Sequence, residues 1–156
     1  MTGRIAFQGE PGAYSHQACQ QARPEMEVVP CQTFEDVVEM TRSGEVDLGM
    51  LAVENSTYGR VADVHSLLPR AGLHIVDEAF VRVHVNLLGV KGAKLEDIRE
   101  AHGHVVILPQ CAAFLKERGI KGRVSSDNAR AAREVAEAGD VTRAALACEL
   151  AGEIYG

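Results

Sequence analysis

The 156 residues predict an α/β fold of two lobes, each a mixed, mostly parallel sheet with flanking helices. Three observations carry this. Short apolar runs of strand length alternate with helical patterns of roughly ten residues, the order expected of βαβ units. Two polar loops, residues 8–12 and 54–59, leave the ends of such runs, which is where ligands sit in parallel sheets. A seam near residues 77–79 precedes a new extended run, so the lobes are expected at residues 1–78 and 79–156.

Taken in order, residues 4–7 read as a strand closed by the turn cluster Gln8-Gly9-Glu10-Pro11-Gly12. Residues 14–23 are helical, with Ser15 near the start, and residues 27–31 form a second strand. Thr33 is placed to cap a helix over 34–42, since its hydroxyl can accept an orphan amide. Phe34, Val37, Val38 and Thr41 fall on one helical face, and Ser43-Gly44 ends the helix. Residues 46–53 are a mostly apolar run, expected as a strand covered on both faces. A helix over 61–70 and a strand over 73–76 follow. Residues 80–90 alternate Val with Arg, His and Asn and read as a strand with one polar face. A turn over 91–94, a short helix over 95–100, a strand over 105–108, a helix over 109–118 and a strand over 123–125 come next. The helix over 127–138 is capped by Ser126 or Asp127 and stopped by Gly139. The last segment, 142–156, fits either a continuous helix or a strand at 144–147 followed by one.

Composition excludes several classes of protein. Hydrophobic residues at 46% and charged residues at 24% are ordinary globular values. The net charge is −6 with Lys and Arg scattered, which argues against a nucleic-acid partner or an anionic membrane surface. Aromatics at 4% leave few platforms for stacking bases. No apolar run approaches membrane-span length, and the opening Met-Thr-Gly-Arg-Ile has no signal-peptide core, so a cytosolic protein is expected. Cys19, Cys31, Cys111 and Cys148 are dispersed, with no CxxC pair, as for reduced and mostly buried thiols.

Three groups of residues offer chemistry. In the loop from Gly9 to Ser15, Gly9 and Gly12 permit close backbone approach, and amides entering the next helix suit a carboxylate or phosphate. The alternative is a plain strand–turn–helix, since no Walker or GxGxxG pattern is present. Glu54, Asn55 and Ser56, with Thr57, gather an acid, an amide and hydroxyls at a strand end, enough to orient an oxygen-rich ligand. An Asx-type turn explains the same residues. His102 and His104 flank Gly103 and point to one face of an extended segment, but no third metal ligand sits at an obvious spacing, and no metal is expected. Cys111 follows a helix start that would lower a thiol pKa, or is a buried helical thiol.

Several motifs in the same order resemble prephenate dehydratases over nearly the whole chain. Phe7-Gln8-Gly9-Glu10-Pro11-Gly12-Ala13-Tyr14-Ser15-His16 is similar to the family's opening loop, and the strand ending in Glu54-Asn55-Ser56 to its Glu-Asn-Ser motif. Val83-His84-Val85-Asn86-Leu87 resembles the segment that starts the family's second lobe. Leu108-Pro109-Gln110-Cys111 and Ala144-Ala145-Leu146-Ala147 resemble its Gln-Cys helix start and alanine-rich strand.

The resemblance implies the two-lobed fold of type 2 periplasmic-binding proteins, with substrate between the lobes. It implies loss of water and carbon dioxide from prephenate to give phenylpyruvate in phenylalanine biosynthesis, with no metal or organic cofactor. The substrate contacts it implies are Glu54, Asn55, Ser56, Gly12, Ser15, His104, Gln110 and Asn128. The family's catalytic Thr, in a Thr-Arg-Phe segment, would lie beyond Gly156, as would the regulatory ACT domain, so no catalytic residue is assigned within the chain. In this fold the chain end crosses back to pair with the first lobe; without that return segment the lobe's sheet edge and apolar surface would be uncovered, and self-association into a homo-oligomer is expected. Two departures stand out: Gly103 occupies a position commonly Ser, and Asn128 one commonly Thr. Arogenate dehydration and a non-catalytic small-anion binding module are the alternative functions.

Overall fold

The computed structural model describes residues 3–156; Met1 and Thr2, which the sequence reading puts at the head of the first lobe, lie outside the described residues. The chain divides into two compact units. One takes the residues up to Glu10 and Tyr14–Arg82, the other Pro11–Ala13 and Val83–Gly156.

In the first unit, β1 (Arg4–Gln8), β2 (Glu27–Cys31) and β3 (Leu48–Met50) form a parallel sheet in the order β2-β1-β3. The central strand is covered on both faces, so Ile5, Ala6 and Phe7 are all buried. Helices α1 (Tyr14–Ala22) and α2 (Phe34–Ser43) pack on this sheet. Thr33 and Asp36 close a capping box at the start of α2, and Gly44, at φ 77°, ends it in the left-handed conformation that a glycine adopts without penalty. Val37 joins Ala6, Cys31 and Val46 in the core. The ring of Phe7 stacks on His16 with centroids 5.2 Å apart, and burial holds His16 below its ordinary pKa.

Two expectations for this unit fail. The run 46–53 pairs only over Leu48–Met50, and only with β1, because it is an edge strand of the sheet; Leu48 and Met50 are half-buried and Gly49 is exposed, in place of the expected burial on both faces. Beyond it, β4 (Glu54–Asn55) and β5 (Gly59–Arg60) form a small antiparallel hairpin. Helix α3 (Ala62–Leu67) continues into a 3-10 turn at Leu68–Arg70. The strand expected at 73–76 is missing. Its apolar residues meet no neighbouring strand, and Ile75 is 79% exposed. A short apolar run suits a half-buried chain, but a strand also requires a ladder partner.

The second unit holds β6 (Asn86–Gly89), β7 (Glu100–His104), α4 (Leu108–Glu117), β8 (Lys121–Ser125), α5 (Asn128–Ala138), β9 (Arg143–Ala147) and α6 (Glu149–Tyr155). Its sheet runs β6-β9-β7-β8, with β6 antiparallel to β9 and the remaining pairs parallel. The ambiguous 142–156 segment is thus a strand and then a helix. Ala144, Ala145 and Ala147 are small enough for α5 to lie against β9, where Ala129, Ala131, Ala132 and Val135 are buried. Ile98, Ala101, Ile107, Leu115, Ile120 and Leu146 fill the core, with Val83, Val85 and Leu87 packed against it.

Three boundaries shift. The expected strand over 80–90 contracts to β6. The expected helix over 95–100 is one 3-10 turn, Leu95–Asp97. The expected strand over 105–108 is in fact the turn into α4, and the strand lies upstream at Glu100–His104. Hydrophobicity at 105–108 misleads because Ile107 is buried as a core residue at a helix start, while the real strand alternates Ala101 and Gly103 inward with Glu100, His102 and His104 on the other face. Among the described residues no helix is long and apolar enough to cross a membrane.

Candidate functional site

In the opening loop Gly12 does more packing than the sequence suggests. Gly12 has φ +89°, and a β-carbon there would lie 2.9 Å from the α-carbon of Ala151 on α6. Cys148 Sγ donates to the Gly12 carbonyl at 2.9 Å, and the Tyr155 hydroxyl donates to the Pro11 carbonyl at 2.8 Å. The close approach that Gly12 permits is therefore to α6, which clamps residues 11–13 within the second unit. Ser15 follows on the first turn of α1, partly buried.

Glu54, Asn55 and Ser56 sit at the β4–β5 hairpin. Asn55 Oδ1 accepts from the backbone amides of Thr57 and Tyr58, each at 2.9 Å. The Asx-turn alternative is thus present, with the Asn55 carbonyl committed to the turn and its NH2 left over. Val53 anchors the base: its carbonyl accepts from the Val61 amide at 3.1 Å and meets His65 Nε2 at 3.0 Å. Glu54 and Ser56 are exposed.

The second unit brings His104, Gln110 and Asn128 together at the carboxyl end of β7. The His104 amide donates to Asn128 Oδ1 at 2.7 Å, linking the strand end to the first residue of α5. The Val106 amide donates to His104 Nδ1 at 3.3 Å, which assigns the proton of the neutral imidazole to Nε2. Gln110 Nε2 donates to the Val106 carbonyl at 2.8 Å, so its amide braces the turn between β7 and α4. Asp127 caps α5 by accepting from the Arg130 amide. These donors are all engaged within the unit; what they fix in place are the Asn128 NH2 group and the His104 Nε2–H, two N–H groups suited to a ligand rich in oxygen acceptors.

His102 takes a different part from His104. It lies 3.7 Å from Glu100, which Arg123 also holds through Nε at 2.9 Å. Burial first, then the charges of Arg143 and Arg123, keep His102 below its ordinary pKa. Those guanidiniums also oppose a metal cation, and among the described residues no group of three His, Cys, Asp or Glu side chains is placed to hold one. Burial pushes the Cys111 thiol up, so the lowered pKa considered for a helix start is not found. Cys19 is pushed up to about 12 by burial.

The clamp residues Cys148 and Tyr155 were not singled out by sequence reading. The only signal for them was the glycine–proline loop, which hinted at close backbone approach without naming the partner.

Comparisons with known proteins bear on these residues. A family model described as prephenate dehydratase matches residues 5–156. A bifunctional N-acyl-homoserine lactone acylase/prephenate dehydratase of Komagataeibacter europaeus is 48% identical over 97% of this chain and 54% of its own length. Arogenate dehydratase/prephenate dehydratase 1, chloroplastic, of Arabidopsis thaliana is 41% identical over 98% of this chain and 39% of its own length. Among solved structures, prephenate dehydratase from Arthrobacter aurescens in complex with L-Phe matches with a TM-score of 0.88 and 25% identity, over 97% of this chain and 52% of that one. The chain therefore spans about half the length of these relatives, and less of the plant protein.

Proposed function

The chain belongs to the prephenate dehydratase family, and from that premise we propose that it holds prephenate for the decarboxylating dehydration that gives phenylpyruvate. One proton enters, the ring hydroxyl leaves as water, and the ring carboxylate leaves as carbon dioxide, its bonding electron pair passing into the ring. Aromatisation supplies the driving force, so the protein's task is to bind the carboxylates, orient the ring and assist the leaving hydroxyl. The reaction needs no cofactor. Glu54, Asn55, Ser56, Gly12 and Ser15 are proposed contacts from the opening loop and the hairpin, and His104, Gln110 and Asn128 from the second unit. The catalytic acid is not assigned to any of them.

The observation that carries this reading is the His104–Asn128 hydrogen bond. It gathers two motif positions 24 residues apart at the carboxyl end of one parallel strand. The test is purified chain with prephenate at neutral pH, following phenylpyruvate by its absorbance in alkali against an enzyme-free blank. Formation above the blank supports the proposal. Binding of prephenate or phenylpyruvate without turnover selects the non-catalytic binding module, and absence of both rejects the reading.

The plant relative's name favours a second substrate, arogenate, which differs by an amino group on the side chain. Release of phenylalanine from arogenate, compared with phenylpyruvate from prephenate, distinguishes the two. The Komagataeibacter relative's name adds N-acyl-homoserine lactone as a third arm of the same assay.

A cytosolic setting and a homo-oligomeric state belong to this proposal. All four cysteines are free thiols, which suits a reducing compartment. Ile75, Val76 and Phe80 are exposed, a surface that a second copy would cover. A monomer at concentrations on the order of tens of micromolar in sedimentation would remove the oligomer.

A further inference from the structure

We propose that Tyr155 and Cys148 are positioning residues, which hold the Pro11 and Gly12 carbonyls on α6 and so fix the opening loop in the conformation that binds the ligand. The inference rests on the dehydratase reading, in which Gly12 is a contact and neither α6 residue is one. Helical spacing brings the two donors to one face. Cys148 at the N-cap of α6, Ala151 and Tyr155 stand at i, i+3 and i+7, about two turns of helix. The Tyr155 hydroxyl donates to the Pro11 carbonyl at 2.8 Å, and Cys148 Sγ to the Gly12 carbonyl at 2.9 Å. Between them the buried Ala151 faces Gly12 through its backbone.

These two bonds set the direction of the loop's amides. A peptide group is planar and, among the described residues, always trans, so its N–H points opposite to its C=O. Anchoring two successive carbonyls on α6 therefore aims the next two N–H groups, those of Gly12 and Ala13, away from it. An extended chain would send successive carbonyls to opposite sides. The φ of +89° at Gly12 breaks that alternation and lets both reach one helix. Pro11 contributes a φ that its ring has already fixed.

The helix that carries the two donors is itself held. Through Gly152 it seats on β6, where an added β-carbon would lie 3.3 Å from Leu88 Cδ2. Burial pushes the Cys148 thiol up, so it keeps the proton that it donates. A loop fixed in this way before the ligand arrives spares the ordering that binding would otherwise cost. Because the two bonds hold adjacent carbonyls, loss of either frees the same loop.

The decisive variant is Tyr155→Phe, which keeps the ring and removes only the hydroxyl. Phenylpyruvate is the probe, titrated against the full chain by calorimetry, with the thermal midpoint recorded for each variant and every titration run well below it. Tyr155→Phe is expected to weaken phenylpyruvate about fivefold. Cys148→Ala should weaken it similarly, and Cys148→Ser, which retains a donor, should recover most of that loss. The two losses combined in one chain should fall short of their product, as for residues that act on one loop. Thr33→Ala, at the cap of α2, is the control for stability alone: its midpoint falls while its affinity stays at the wild-type level. Equal affinity of wild type, Tyr155→Phe and Cys148→Ala would overturn the inference while leaving the dehydratase reading intact. An equal weakening by Thr33→Ala would do the same, since the loss would then follow stability and not the loop. Failure of the wild type to bind phenylpyruvate and prephenate at all would overturn both.

Discussion

Cys148 Sγ lies 2.9 Å from the carbonyl oxygen of Gly12, 136 residues away in sequence, and the two are held together where α6 meets the opening loop. The same close approach of α6 explains why residue 12 is glycine. Its φ of +89° is strained for other residues, and an added β-carbon would strike the backbone of Ala151, which cannot rotate aside. Gly12→Ala is expected to destabilise the chain by about 2–3 kcal/mol. In urea the unfolding midpoint should fall with an unchanged slope. A midpoint equal to that of wild type would show that the loop relaxes away from α6 and that the clamp contributes nothing.

A gentler effect is expected at Thr33. Its hydroxyl accepts from the Asp36 amide at 3.1 Å while the Asp36 carboxylate accepts from the Thr33 amide at 3.0 Å. Both partners are exposed, so water replaces part of what is lost. Thr33→Ala should cost about 1 kcal/mol. Thr33→Ser, which keeps the box, should remain close to wild type in the same urea titration, and equal losses for the two would place the effect in the methyl group instead of the cap.

The helix bounded by Thr33 and Gly44 was legible because cap, period and stop all agree within one short stretch. β9 was legible only in part, since an alanine-rich segment serves a central strand under a close-packed helix as well as it serves a helix. Residues 73–76 misled for a different reason: a short apolar run at strand length describes one chain, and pairing belongs to two. The polar positions of the site were visible as motifs, but their bonding was not. The His104–Asn128 bond joins a backbone amide to a side chain across a turn, α4 and β8, and a backbone amide has no signature in residue type. Asn55 shows the converse, because an Asx turn is local and was one of the two alternatives open from sequence.

Acid should weaken the fold in two steps, the upper set by His102 on β7 together with the buried His16 on α1, the lower by Glu100 on β7. His102 is held below its ordinary value of 6.5 by burial and then by Arg143. Glu100 is held below its ordinary value of 4.5 by hydrogen bonding to Arg123 and then by its charge. In each case the unfolded chain takes up the proton more readily than the folded one. The stabilisation is therefore complete above the ordinary value and is lost as pH falls through the folded one. Unfolding midpoints measured from pH 8 to pH 3 should decline below about 6.5 and again below about 4.5. His102→Gln should flatten the upper decline, and Glu100→Gln the lower. A curve for Glu100→Gln parallel to wild type below 4.5 would assign the acid sensitivity to other carboxylates.

Asn55 offers a separation of turn from ligand contact. Its Oδ1 satisfies two amides, those of Thr57 and Tyr58, so Asn55→Ala leaves both without a side-chain partner and lets the hairpin open. Asn55→Asp retains both acceptor bonds and discards only the NH2 group. If the turn alone matters, Asn55→Asp should bind phenylpyruvate as wild type does, while Asn55→Ala weakens it. If the NH2 group also touches the ligand, both variants should lose affinity, with Asn55→Asp losing about tenfold through the missing donor and the added negative charge. Backbone amide exchange at Thr57 and Tyr58 provides the independent readout. It should accelerate in Asn55→Ala and stay slow in Asn55→Asp, and acceleration in both would mean that the carboxylate does not reproduce the turn.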